Sequence, residues 1–305
     1  MTVVTAQADK LVAELEAICG PEHTITHEHQ LRTYESDGLL QYVKQPRAAV
    51  LPADADQVQR VVKACYDAGV PTVARGAGSG LSGGALPHED GVLIVLTRMR
   101  RILEVDLDNQ RLVVEPGVTN LEVGAAVSPT HYYPPDPSSQ IVCSIGGNVA
   151  ENSGGAHCFK YGFTTNYVTG LEVVTPDGAV VQLGGGKGVD APGYDLLGAF
   201  VGSEGTLGVA TRITLKVIPN PPAWRTLVAF YAHMEEAGRS VSEIVAAVLI
   251  PGAMEIRDKL SIAAAEAATG AGYPTDAGAA LVVEPGVTNL EVGAAVSPTH
   301  YYPPD

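Results

Sequence analysis

The stretch Arg75-Gly76-Ala77-Gly78-Ser79-Gly80-Leu81-Ser82-Gly83-Gly84 decides the fold of this 305-residue chain, because five of its ten residues are glycine. Without side chains, successive backbone N–H groups of such a loop can turn toward one anion. The residues before it predict a strand at Ala48–Leu51, a helix between Asp54 and Gly69, and a second strand at Pro71–Arg75. A glycine loop that directly follows a strand predicts a ligand site, and a pyrophosphate fits such a loop. We therefore favour this interpretation over the alternative, a flexible surface loop without a ligand.

Two other phosphate-binding motifs fit this stretch poorly. Gly78 to Gly83 matches G-x-G-x-x-G, but a Rossmann loop should open a helix. Here the chain continues through Gly84 and Pro87 into a predicted strand at Val92–Leu96. A Walker loop requires Gly-Lys-Ser/Thr, which this stretch lacks.

Further clusters of glycine, hydroxyl and amide residues follow in the sequence. Pro135–Ser139 and Cys143–Gly155 form one long polar segment, which we interpret as a functional loop. Gly202–Gly208 is a third cluster, and Gly184–Gly188 is interpreted as a hairpin tip.

Composition narrows the function. The net charge of −15 disfavours nucleic acid as a partner. The cysteines Cys19, Cys65, Cys143 and Cys158 form no C-x-x-C pair, so we expect no metal site, iron–sulfur site or disulfide framework. We find no signal peptide and no apolar stretch of membrane-spanning length, and therefore expect a cytoplasmic protein that reaches a membrane only through partner subunits.

As an ordered set, these motifs resemble the FAD-binding domain of the vanillyl-alcohol-oxidase superfamily. The resemblance is closer to the FAD-linked D subunits of glycolate oxidase and FAD-linked D-lactate dehydrogenases. The residues that carry it are Tyr34–Gly38, Arg75–Gly84, Pro135–Gly155, Phe159–Asn166, Pro192–Leu196 and Gly202–Gly208.

The resemblance implies an α+β fold, in which two α+β subdomains of a PCMH-type domain cradle one FAD and the start of an incomplete α+β substrate domain follows. It places an N-terminal helical segment at 1–45, the FAD-binding domain at 46–220, a partial substrate domain at 221–284 and a duplicated segment at 285–305.

The resemblance also implies where FAD is held. Arg75 to Leu81 would hold the pyrophosphate, whereas Pro135 to Ser139 and Ile145 to Gly154 would line the ribityl chain and the flavin. The candidate cofactor residues are Arg75, Gly76, Ala77, Gly78, Ser79, Gly80, Leu81, Pro135, Asp136, Pro137, Ser138, Ser139, Ile145, Gly146, Gly147, Asn148, Asn152, Ser153, Gly154, Tyr161, Glu204, Gly205 and Ile213. The first loop has no histidine for covalent attachment, so noncovalent FAD is expected.

The implied chemistry is the oxidation of a D-2-hydroxy acid, glycolate or D-lactate, to the 2-oxo acid. A base takes the hydroxyl proton while hydride passes from the α-carbon to flavin N5. The implied partners are the small substrate and further glycolate oxidase subunits, including an iron–sulfur subunit. Two alternatives are an FAD-binding fragment without turnover and a reductase like the superfamily's cell-wall UDP-sugar enzyme, which the match beyond Gly208 disfavours. No catalytic base is assigned, because His131, His157 and His233 are candidates by residue type alone.

The chain also contains an unusual repeat. Leu281–Asp305 is identical to Leu112–Asp136 over 25 residues, whereas an ancient repeat would have diverged. We therefore expect a chain truncated after about residue 284 and completed by a duplicate. In that case Leu281–Glu284 should form a strand, and Pro285–Asp305 should be mobile and contribute nothing to flavin binding.

Overall fold

The computed structural model describes residues 2–185, 192–221 and 225–284. The chain divides into two compact units, the first formed by Met1–Ser153 and Phe163–Ile218, the second by Gly154–Gly162 and Pro219–Asp305. The N-terminal helical segment therefore packs within the first unit, and a short insertion from the middle of the chain belongs to the second.

The helices and strands run in the following order. The helices are α1 Thr2–Cys19, α2 Glu28–Leu31, α3 Ala55–Ala68, α4 Asn120–Val127, α5 Ile145–Glu151, α6 Cys158–Tyr161, α7 Leu196–Phe200, α8 Met234–Ala246 and α9 Lys259–Thr269. The strands are β1 Thr24–Ile25, β2 Ala48–Val50, β3 Thr72–Arg75, β4 Val92–Val95, β5 Ile102–Asp106, β6 Arg111–Val114, β7 His131–Tyr132, β8 Val168–Val174, β9 Val180–Leu183, β10 Val209–Lys216, β11 Ile218–Pro219, β12 Leu227–Tyr231, β13 Ala253–Asp258 and β14 Ala279–Glu284.

The first sheet of unit 1 confirms the predicted strand–helix–strand segment. Its strand order is β1-β2-β4-β3, with β2 and β3 both parallel to β4. Asp54 caps α3 by accepting a hydrogen bond from the Gln57 amide at 2.9 Å, and Gly69 ends the helix in the left-handed conformation. One face of α3 packs with α1 and the sheet in a common core that contains Leu11, Leu15, Val58, Val61, Val62, Cys65, Val92 and Ile94. This packing fixes the end of β3, where the glycine loop begins.

The second sheet of unit 1 is antiparallel, in the order β5-β6-β10-β8-β9. The sequence Pro176-Asp177-Gly178 predicts a hairpin turn, and it joins β8 to β9 with a φ of 84° at Gly178. The spacing of Thr119 and Glu122 predicts a capping box, which is present: the Thr119 side chain accepts from the Glu122 amide and the Glu122 carboxylate accepts from the Thr119 amide.

Several sequence-based assignments need correction. The polar segment Cys143–Gly155, interpreted as a loop, contains α5. The prolines of His131–Pro137 predict no regular structure, yet this stretch begins with β7. The sequence of Glu235–Ile250 predicts one long helix, but α8 ends at Ala246, because residues 247–250 leave helical geometry and Val248 has a positive φ of 60°. The apolar spacing of Leu11, Leu15 and Ile18 predicts a helix over residues 8–18, and α1 is longer than that.

Unit 2 is built on a three-stranded antiparallel sheet, in which β14 lies between β12 and β13. The expected strand at Leu281–Glu284 is confirmed as part of β14, and Leu281 and Val283 are buried with Ala237 and Ile244 of α8. The prediction for Pro285–Asp305 falls outside the described residues, as does most of the expected hairpin tip at Gly184–Gly188. Within the described ranges, no helix is both long enough and apolar enough to cross a membrane.

The first prediction concerns the cap of α3. Replacing Asp54 by Ala should lower the free energy of unfolding by about 1 kcal/mol, because it leaves the Gln57 amide without its acceptor. Replacing Asp56, an exposed first-turn residue paired with Arg60, should change it by less than about 0.5 kcal/mol. Urea unfolding of both variants measures the difference. An equal loss of unfolding free energy in the two variants would show that the Asp54 cap does not specifically stabilise α3.

Candidate functional site

A cleft of about 920 Å³, including its open mouth, lies in unit 1. It is lined by the glycine loop that follows β3, by α5 and the residues before it, and by the segment between α7 and β10. The predicted residues that line it are Arg75, Gly76, Ala77, Gly78, Ser79, Gly80, Ser139, Gly146, Gly147, Asn148, Ser153, Glu204 and Gly205. The structure thus brings together three segments that are far apart in the sequence.

Other predicted residues lie elsewhere. Leu81 is 74% exposed at the surface, whereas the side chains of Ile145 and Ile213 are buried in the core. Pro135, Asp136, Pro137, Ser138 and Asn152 are not among the lining residues, and Gly154 and Tyr161 belong to unit 2.

Sequence reasoning also missed part of the lining. The added residues are Ala74, Gly84, Ala85, Leu96, Pro116, Cys143, Ser144, Ala150, Glu151, Phe200, Gly208, Val209 and Ala210. Cys143, Ser144, Ala150 and Glu151 lie inside the polar segment that we had singled out, so a helical reading of that segment would have found them. Gly84 and Gly208 end two of the quoted glycine motifs, and the others are small or apolar residues outside any motif.

Arg75 holds the start of the glycine loop. It is 9% exposed, and its Nη1 donates to the Ser36 carbonyl oxygen at 2.7 Å and to the Ala85 carbonyl oxygen at 3.4 Å. Burial lowers the pKa of the guanidinium, and the nearby Asp37 partly opposes this effect. Gly78 has a φ of 71°, and a Cβ there would lie 2.3 Å from Arg75 Nη2. The loop therefore wraps around the guanidinium, and only glycine fits at position 78.

The loop leaves donors available to a ligand. Within the described part of the chain, the amide groups of residues 76–80 make no hydrogen bond to a protein acceptor. Ala77 is exposed and the other four residues are partly exposed, so their amides can reach solvent or a ligand. A row of such amides along a cleft provides donors for the oxygens of an anionic group such as a pyrophosphate.

The start of α5 faces the same cleft, but its own amides are already used. The Ile145 amide donates to Val118 O, the Gly146 amide donates to Pro116 O, both at 2.8 Å, and the Gly147 amide donates to Ser144 Oγ at 3.2 Å. The Nδ2 of Asn148 is buried in the cleft and makes no well-aligned hydrogen bond among the described residues, although the side chain interacts with the Cys143 thiol. The cleft thus offers a ligand loop amides and one side-chain amide, a set that fits phosphate and polar ring edges.

The charged side chains of the cleft are mostly acidic. Glu151 and Glu204 line it, and Arg75 is the one basic residue among the described lining residues. Since the guanidinium already donates to two carbonyl oxygens, an anion here would be held by backbone dipoles more than by side-chain charge.

The three histidines considered from the sequence have structural contacts. His131 Nδ1 lies 3.0 Å from Thr130 Oγ1, and the backbone amide of His233 donates to Glu236 at the start of α8. In unit 2, His157 Nε2 lies 3.1 Å from the Glu284 carboxylate. None of them belongs to the described lining of the cleft.

Comparison with known proteins gives a consistent result. Residues 46–184 match the family described as FAD binding domain, and residues 220–296 match the C-terminal domain of FAD linked oxidases. The glycolate oxidase subunit GlcD of Escherichia coli (strain K12) is 50% identical over 275 residues, which are 90% of this chain and 55% of the relative. A D-lactate dehydrogenase of Anaerostipes hadrus is 36% identical over 241 residues, 78% of this chain and 50% of the relative. The chain thus spans about half the length of these relatives.

A solved structure shares the fold. Alkyldihydroxyacetonephosphate synthase superimposes with a TM-score of 0.84 at 20% identity, covering 96% of this chain and 64% of the other. The shared fold and the family match agree with the α+β architecture that the resemblance implies. The chain belongs to the FAD-linked oxidases: it carries their FAD binding domain, whose cofactor is FAD, followed by part of their C-terminal domain.

Proposed function

We propose that this chain is the FAD-binding part of an enzyme that oxidises a D-2-hydroxy acid, such as glycolate or D-lactate, to the 2-oxo acid. The observation that carries the proposal is the row of unpaired amides at residues 76–80 along a cleft that also contains the buried Asn148 amide. The substrate class comes from relatives that are named glycolate oxidase subunit and D-lactate dehydrogenase.

The residues of the cleft act by binding and orienting the cofactor. The amides of residues 76–80 would hold its pyrophosphate, and Asn148 would donate to a polar edge of the group. Bound FAD supplies an acceptor for hydride at N5. Arg75 keeps the loop in the required shape through Nη1, which donates to two carbonyl oxygens, and its remaining N–H groups could still donate to the pyrophosphate.

We infer no catalytic base in this cleft. Its described lining contains no histidine and no lysine, the residue types that most often take a substrate proton or bind a substrate carboxylate. This observation favours the second candidate, a unit that binds FAD and does not turn over alone. We further propose that the partners include other glycolate oxidase subunits, among them an iron–sulfur subunit.

The second prediction is that FAD is bound noncovalently. No histidine, cysteine or tyrosine occurs in the loop 76–84 to attach the flavin. Acid precipitation of the purified holoprotein should therefore release the flavin into the supernatant, where its absorbance quantifies it. Flavin that remains in the washed pellet would contradict this expectation.

The third prediction concerns Gly78. Replacing it by Val should abolish FAD binding, because the side chain would collide with the Arg75 guanidinium and the backbone is left-handed there. Gly124→Ala is the matched control, since a Cβ there meets nothing within 4 Å. The measurement is flavin content per chain after gel filtration. Normal content in Gly78→Val would refute the assignment of the loop.

The fourth prediction is that the chain alone reduces its flavin very slowly with glycolate or D-lactate. Correct positioning of reactants can be worth about 7–11 kcal/mol, and the described lining of the cleft contains neither a histidine nor a lysine to orient and deprotonate the substrate. Stopped-flow absorbance of bound flavin measures the rate. Reduction within milliseconds by D-lactate would show that the catalytic groups are present after all.

A further inference from the structure

Glu151, the last residue of α5, makes a contact that cofactor binding alone does not explain. Its Oε2 accepts a hydrogen bond from Ser82 Oγ at 2.7 Å. A Cβ at Gly80 would lie 3.4 Å from Glu151 Oε1, and one at Gly84 would lie 3.0 Å from the same atom. The glycine loop, residues 76–84, therefore closes around this carboxylate at three alternate positions.

The charge of Glu151 has the wrong sign to attract the cofactor. It lines a cleft whose proposed ligand carries a pyrophosphate, and the guanidinium of Arg75 is already engaged. Like charges in one cleft repel. The value of Glu151 to the site must therefore come from its hydrogen bond and not from its charge.

The loop needs such a contact. It is rich in glycine, which loses more conformational freedom on ordering than any other residue. Its start is held by Arg75 and by the close approach of Gly38, where a Cβ would lie 2.6 Å from Gly80 O. Beyond Gly80, the described contacts of the loop with the rest of the unit include the Ser82–Glu151 bond, which ties it to α5.

We propose that Glu151 is a positioning residue for FAD: through Ser82 it orders the glycine loop before the cofactor arrives. A loop that is already ordered does not lose that entropy when the ligand binds. This inference rests on the proposed function. The amides of residues 76–80 remain open to the cofactor, while Gly80, Ser82 and Gly84 enclose the carboxylate.

The test measures the FAD dissociation constant of apoprotein by quenching of flavin fluorescence. Glu151→Ala should weaken binding about tenfold, the value of a hydrogen bond to a charged group. Ser82→Ala should weaken it by a similar factor, and the double variant should be no weaker than Glu151→Ala, because both remove the same bond. Ser242→Ala, an exposed serine of α8, is the matched control.

Glu151→Gln separates the bond from the charge. Glutamine keeps an oxygen that accepts from Ser82 and removes the negative charge, so FAD should bind as tightly as in the unchanged protein or more tightly. A purely structural role would appear as a lower melting temperature of the apoprotein in Glu151→Ala, whereas we expect no change because the bond is exposed. If Glu151→Ala lowers the melting temperature of the apoprotein, Ser82→Ala tests the same hydrogen bond with a smaller change of side chain.

The outcomes separate this inference from the proposed function. If the unchanged chain does not bind FAD, the proposed function fails and this inference fails with it. If the unchanged chain binds FAD and Glu151→Ala binds it equally well, only the role of Glu151 is overturned. Equal weakening in Glu151→Gln and Glu151→Ala would also overturn it, because the charge would then be what matters.

Discussion

The buried guanidinium of Arg75 determines the shape of the cofactor cleft. A buried cation must have its N–H groups satisfied, and here two carbonyl oxygens, from Ser36 and Ala85, accept from Nη1. The chain can reach both only by curling over the guanidinium, which requires the left-handed Gly78. The amides of the curled segment are then left without protein acceptors. The loop amides are thus available to a ligand because the loop takes the shape that the Arg75 guanidinium requires.

Much of the fold follows from local rules that the sequence displays. Asp54 and Gly69 delimit α3, Thr119 and Glu122 cap α4, and Pro176-Asp177-Gly178 forms a hairpin turn, all as expected. These features depend on residues within a few positions of one another, so a single sequence is enough to predict them. The glycine loop was recognised for the same reason.

The parts that escaped prediction depend on distant neighbours. The helix α5 begins with Ile145-Gly146-Gly147, a poor helical start by propensity. Gly146 is needed because Pro116 packs so closely that a Cβ would lie 2.6 Å from Pro116 Cβ, and no local pattern reveals this contact. Likewise, glycine is needed at position 208, which lines the cleft, because a Cβ there would lie 2.6 Å from Val174 O on β8. Tertiary packing overrides propensity at both places.

The tetrapeptide Leu-Val-Val-Glu occurs twice, and in both places its apolar residues lie in a central antiparallel strand, in β6 between β5 and β10 and in β14 between β12 and β13. The two glutamates differ, since Glu115 follows β6, is buried and accepts from Arg101, whereas Glu284 ends β14, is partly exposed and lies beside His157. During refolding, two identical segments therefore compete for the same pairing edges, a source of kinetic traps in chains of this size. The residues that precede each copy must therefore distinguish the two during folding. Arg111, which pairs with Glu104 and Asp106, precedes the first copy. Two buried alanines, Ala279 and Ala280, precede the second.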